Sequence, residues 1–179
     1  IDGGWLMTPT GSSLGRLDPA KLSKLDDTGK LISGDAPTKE SFLHLAMYRE
    51  RDKAGAVVQL HSTHPVPVSC LPHRIDHDDV LPPITAYYVM RVGKLPLVPY
   101  FAPGDMALGE AVGRLAAKHS AMLLANHGPV VAGSSLSAAV DAIEELEETA
   151  RLYLLLPGRP TRYLSPEQIA DLQRRFPPA

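Results

Sequence analysis

The sequence predicts a single domain of the α/β or α+β class, and three observations carry that expectation. Short apolar or β-branched runs at 56–61 and 121–125 have the length and composition of buried strands. Longer stretches with a helical apolar period, above all 135–156, read as amphipathic helices. The two kinds mix irregularly over 179 residues, without βαβ spacing, internal repeat or low-complexity linker, which suits one core.

Trp5, Leu6 and Met7 read as a short strand ending in the turn-rich run Thr8-Pro9-Thr10-Gly11-Ser12-Ser13. Further short strands are expected around Leu25 and over 31–33, broken by Asp27 and Gly29. The first strong helix spans 38–50, with Thr38 as N-cap and Phe42, Leu45, Ala46 and Arg49 near one face. The strand at 56–61 is ended by Pro65 and Pro67. The segment 71–103, which holds Tyr87, Tyr88 and Tyr100, is proline-rich and expected to be irregular. Asp105 caps a helix carrying Leu108, Ala111, Val112, Leu115 and Ala116 in register. A strand at 121–125, a turn at Asn126-His127-Gly128 and a strand at 129–132 follow. The longest helix, 135–156, shows the stripe Leu136, Val140, Ile143, Leu146, Ala150 and Tyr153 and stops at Pro157-Gly158. A short peripheral helix is expected over 166–176.

Composition excludes several classes of protein. The apolar share of 44% and charged share of 21% are those of a soluble globular chain. A net charge of -2 leaves no basic footprint for nucleic acid, so a small anion would be held by local positive charge. No stretch reaches the length of a membrane span, and no signal peptide is visible. The single cysteine, Cys70, precludes an intrachain disulfide, fits a reducing, cytoplasmic compartment, and is expected to be a small buried residue. The chain opens at Ile1 in an apolar run without Met or capping segment, so the natural domain is expected to begin upstream.

Four places hold residues with chemistry to offer. Gln59 and His61 are two apart and share one face of a strand. Each can serve a pocket, or His61 can be a core histidine satisfied by backbone. His127 lies beside Gly128, which permits a tight turn and close ligand approach. Glu40 falls in the first helical turn, where the helix dipole favours its carboxylate, and His44 follows one turn later. Thr10-Gly11-Ser12-Ser13 and Thr38-Lys39 are donor-rich and suit either an anion nest or ordinary turn and capping chemistry. None is specific alone.

In order along the chain, these pieces resemble the class II aldolase/adducin superfamily, which includes fuculose-phosphate aldolase and ribulose-phosphate 4-epimerase. The matching runs are Thr8-Pro9-Thr10-Gly11, Pro37-Thr38-Lys39-Glu40, Val57-Val58-Gln59-Leu60-His61-Ser62-Thr63-His64 and Asn126-His127-Gly128. The extended runs Ser12-Ser13-Leu14-Gly15-Arg16-Leu17-Asp18-Pro19 and Gly34-Asp35-Ala36, with Leu97-Val98-Pro99-Tyr100 and Glu144-Glu145-Leu146-Glu147-Glu148-Thr149-Ala150, are most similar to the 3-oxo-tetronate 4-phosphate decarboxylases.

The resemblance implies a three-layer α/β/α fold with a central, mostly antiparallel sheet. It implies a homotetramer with sites at subunit interfaces, and one divalent metal per subunit. By position, the metal ligands are Glu40, Gln59, His61 and His127, the acid/base is Glu40, and the phosphate site is Thr10, Gly11, Thr38 and Lys39. Tyr87 or Tyr88 would reach a neighbouring subunit's site. Zn is the ion the family implies. Gln59, standing where the family has the first histidine of His-x-His, adds the harder ions Mn and Mg as alternatives to Zn. His64 has the wrong parity to replace it. The implied substrate is a small phosphorylated sugar acid, losing CO2 to leave an enediolate that Glu40 protonates to dihydroxyacetone phosphate. The alternatives are a fuculose- or ribulose-type aldolase or epimerase, and a non-catalytic, adducin-like binding domain.

Overall fold

The structure is a computed structural model in which residues 3–72 and 78–176 are described. Its centre is a four-stranded sheet of β4 (Ala56–Gln59), β5 (Leu97–Val98), β6 (Ala121–Leu124) and β7 (Gly128–Gly133), in the order β4-β7-β6-β5. The β4–β7 and β6–β7 pairs are antiparallel, and only β5–β6 is parallel. All four residues of β6 are buried because helices cover both faces of the sheet.

Strand alternation sorts the core into two halves. Ala121, Leu123 and Val131 face one side, where α2 (Pro65–Ser69), α3 (Ala86–Arg91), α5 (Leu136–Leu155) and α6 (Pro166–Arg175) pack through residues such as Val68, Tyr88, Leu146 and Ile169. Met122, Leu124, Val130 and Ala132 face the other, against Leu43 and Met47 of α1 (Ser41–Glu50) and Leu108 and Val112 of α4 (Met106–Ala116). Each fully buried Leu or Val contributes about 1.5–3 kcal/mol. The result is the three-layer α/β/α arrangement.

A second, antiparallel sheet of β1 (Gly4–Met7), β2 (Ser23–Asp26) and β3 (Leu31–Ser33) flanks this core. Met7, Leu25 and Leu45 pack together, and Trp5 stacks on Tyr48 with centroids 4.7 Å apart. Helix α1 therefore serves two cores.

Several expectations are corrected. Helix α1 begins at Ser41, not at Thr38, because Thr38 turns back to pair with Thr8 through its N–H. Residues 65–69 are helical, since Pro65 stands at a helix start where its missing N–H costs nothing. Within 71–103, α3 and β5 are regular, while 73–77 lies outside the described residues. In α5, Leu136 and Val140 are exposed, and the inward stripe is Ala139, Ala142, Ile143, Leu146 and Ala150. Small residues are needed there: a Cβ on Gly133 would lie 2.4 Å from the Ala139 nitrogen, so helix and strand touch backbone to backbone. Cys70 is exposed, not buried. Asp105 does cap α4, accepting from the Ala107 N–H at 2.9 Å.

Candidate active site

The site forms where the C-terminal end of β4 meets the 126–128 turn and the start of α1. Asn126 holds a φ of 55° and Gly128 one of 144°, and the His127 N–H donates to the Leu124 carbonyl at 3.1 Å. Only glycine fits at 128, since a Cβ there would sit 2.3 Å from the Leu60 carbonyl oxygen. That close seat carries His127 over the end of β4. Its ring centroid lies 4.8 Å from that of His61.

Glu40 reaches the same place from the N-cap position of α1, without capping the helix by its side chain. Its Oε2 lies 3.5 Å from His127 Nε2 and accepts from Gln59 Nε2 at 2.5 Å. Gln59 Nε2 is also 3.2 Å from His127 Nε2. The amide nitrogen of Gln59 thus faces Glu40 and His127, whereas a metal ligand would present its oxygen. Glu40 Oε1 is buried and has no hydrogen-bond partner among the described residues. His44 lies one turn along α1. Burial pushes its pKa down to about 4, against the pull of Glu40. Burial also lowers the His127 pKa, opposed by Glu40 and reinforced by His61. His127 is therefore held toward its neutral form, the form that binds metals and accepts hydrogen bonds.

The donor-rich segments lie alongside. Pro9 and Pro37 form an antiparallel bridge, flanked by Thr10 N–H to the Ala36 carbonyl at 2.9 Å and Thr38 N–H to the Thr8 carbonyl at 3.1 Å. This pairing brings Thr10 and Gly11 beside Thr38 and Lys39. It also engages two of the amides, so an anion would be left the amides of Gly11 and Lys39, the hydroxyls and the exposed Lys39 ammonium. Thr38 is two residues from Glu40, within about 7 Å along the chain.

A cavity of about 640 Å³ opens beside His61 and His127, walled by Ser62, Tyr100, Phe101 and Asn126. Ser62 Oγ is buried and unpartnered among the described residues. Sequence reasoning missed these wall residues, and only Asn126, preceding His-Gly in a turn, carried a local signal. His64 turns away to Glu147 of α5, with Nδ1 and Oε1 2.6 Å apart. Of the two tyrosines, Tyr88 is fully buried and donates to Asp79 Oδ1 at 2.5 Å, whereas Tyr87 is 57% exposed under Arg91. A second cavity, about 550 Å³, lies at the opposite end of β4 and β7, near Arg51, Arg91 and Gly133, and contains none of the expected site residues.

Glu40 and His127 stand at a spacing that suits a shared divalent ion. Two ligands sharing one Zn²⁺ stand about 3.4 Å apart, which matches the Glu40–His127 spacing. The orphaned Glu40 oxygen is a natural cation acceptor. Among the described residues, however, no three His, Cys, Asp or Glu side chains are already gathered at a metal-binding spacing.

Scaffold and site together define the class II aldolase fold. The crystal structure of YgbL from Escherichia coli superposes with a TM-score of 0.92 at 50% identity, covering 96% of this chain and 83% of that one. A solved L-fuculose 1-phosphate aldolase, 23% identical, shares the fold with a TM-score of 0.85 over 97% of this chain and 80% of its own. Residues 1–154 match the Class II Aldolase and Adducin N-terminal domain, and the chain belongs to that family. It is 53% identical over 171 residues to a 3-oxo-tetronate 4-phosphate decarboxylase of Pectobacterium atrosepticum, covering 96% of this chain and 78% of the relative. To an L-fuculose phosphate aldolase of Escherichia coli K12 it is 33% identical over 177 residues, covering 97% and 79%.

Proposed function

We propose that this chain is a metal-dependent carboxy-lyase that converts 3-oxo-tetronate 4-phosphate to dihydroxyacetone phosphate and CO2. The observation that carries this reading is Glu40: a buried carboxylate with one oxygen unpartnered among the described residues, 3.5 Å from His127 and directly after the Thr38-Lys39 pair. The likeness to decarboxylases supports the substrate class.

Glu40, His61 and His127 would hold the divalent ion, which when bound supplies a Lewis acid for the ketone oxygen. Thr10, Gly11, Thr38 and Lys39 bind the phosphate and so fix the reacting carbons near Glu40. The bond between the carboxylate carbon and C2 breaks, and its electron pair moves through C2 onto the ketone oxygen. Glu40 then takes up a proton from solvent and delivers it to C2, returning to the carboxylate. Tyr100 and Phe101 wall the cavity beside His61.

Zn is the ion family resemblance favours. A homotetramer suits the exposure of Tyr87, which is free to reach a neighbouring subunit's site. A cytoplasmic enzyme suits a chain whose cysteine is free and exposed. Among the described residues, no helix is long and apolar enough to cross a membrane.

The deciding assay follows CO2 release from 3-oxo-tetronate 4-phosphate with Mn, Mg or Zn, beside Glu40→Ala. Metal-dependent release lost in the variant supports the assignment. Cleavage of a sugar phosphate to an aldehyde, without CO2 release, moves it to the aldolases, the reading favoured by the 33% identity to fuculose-phosphate aldolase.

A further inference from the structure

We propose that Gln59 is a hydrogen-bonding bridge between Glu40 and His127, not a metal ligand, so that a cation is admitted between them only by displacing the bridge. The inference deepens the metal-site reading above and does not depend on which reaction the site runs.

A primary amide has two N–H donors and one carbonyl acceptor. Gln59 Nε2 lies 2.5 Å from Glu40 Oε2 and 3.2 Å from His127 Nε2, which accounts for both hydrogens. Turning the amide over would set its carbonyl oxygen against the Glu40 carboxylate, two acceptors at 2.5 Å. The two contacts call for the nitrogen on this side, so the oxygen that a cation would need is turned away from Glu40 and His127.

The same contacts link the Glu40 carboxylate to the His127 ring. A charge-assisted donor stabilises Glu40, and His127 accepts through Nε2, which places its own proton on Nδ1. A cation between Glu40 and His127 would compete for the lone pairs that the amide now engages. Removing the amide therefore removes a competitor, whereas removing a ligand would weaken metal binding.

The test prepares chelator-treated protein, wild type and Gln59→Leu, and measures thermal unfolding without metal and Zn²⁺ affinity by calorimetry. The expected result is a midpoint several degrees lower in metal-free Gln59→Leu, with Zn²⁺ bound as tightly as by wild type or more tightly. A tenfold or greater loss of Zn²⁺ affinity would assign Gln59 as a ligand and overturn the proposal. So would an unchanged metal-free midpoint. If the leucine variant does not fold, Gln59→Asn keeps the amide but shortens its reach, and the same two readouts decide. Neither readout uses turnover, so failure of the decarboxylase assignment leaves the result interpretable.

Discussion

The carboxylate of Glu40 and the imidazole of His127 stand 3.5 Å apart, although one opens a helix on one layer and the other sits in a turn between two strands of the sheet. Glu40 is the only carboxylate within reach of His127 among the described ion pairs. Glu40→Ala is expected to lower kcat for CO2 release by about 10²–10⁴-fold, the range general acid–base groups contribute. Steady-state kinetics at saturating metal would check it. A variant retaining wild-type kcat would remove Glu40 from the chemistry.

Lys39 is exposed beside the Thr10-Gly11 turn, and its charge is the one formal positive charge in the expected phosphate site. Lys39→Ala should raise KM for the phosphorylated substrate about tenfold and leave the unfolding midpoint within a degree or two. The difference from wild type should shrink as salt is raised, because an exposed charge is screened. A salt-independent change in kcat alone would contradict a binding role.

Gly128 seats the His127 turn against Leu60, just past β4. A Cβ at this position would meet the Leu60 carbonyl oxygen at 2.3 Å, on a backbone with φ 144°. Gly128→Ala should cost more than about 1 kcal/mol of stability and weaken Zn²⁺ binding, since His127 moves with the turn. Denaturant unfolding and metal titration measure the two effects separately.

Asp79 gives a pH dependence with a definite sign. Burial raises its carboxyl above the ordinary 3.8, partly offset by hydrogen bonds from Tyr88, Leu95 and Leu81. The folded state therefore holds this proton more tightly than the unfolded chain. The stability it contributes is complete below 3.8 and is lost as pH rises through the elevated folded value. Asp79→Asn should flatten that part of the stability profile. Tyr88→Phe should cost about 1–3 kcal/mol by removing a donor from a buried acceptor. Denaturation at a series of pH values checks both; an unaltered slope in Asp79→Asn would refute the linkage.

Much of the fold was legible because its signals are local. The apolar runs of β6 and β7, the Asp105 cap and the length of α5 follow from composition and period, which neighbours in sequence determine. The errors also had physical causes. Thr38 looks like an N-cap, but its N–H pairs with Thr8, so the helix waits until Ser41. Leu136 and Val140 match a helical stripe, but α5 approaches β7 so closely that its small residues face inward instead. Cys70 was judged by type, and its exposure depends on where α2 ends.

For the site, the sequence by itself determined the chemical inventory: a glutamate at a helix start, an amide and a histidine on one strand, a histidine in a glycine turn, and a donor-rich pair of segments. Its resemblance to a family determined the order in which to read them. Only the tertiary structure decided that the Gln59 nitrogen faces Glu40 and His127, that His64 leaves for Glu147, and that Tyr87, not Tyr88, is presented to solvent. Adjacent helical residues point about 100° apart, so the choice between the tyrosines depends on which layer the helix covers. Meetings between distant segments are set by how sheet and helices pack, and that packing is a property of the whole core.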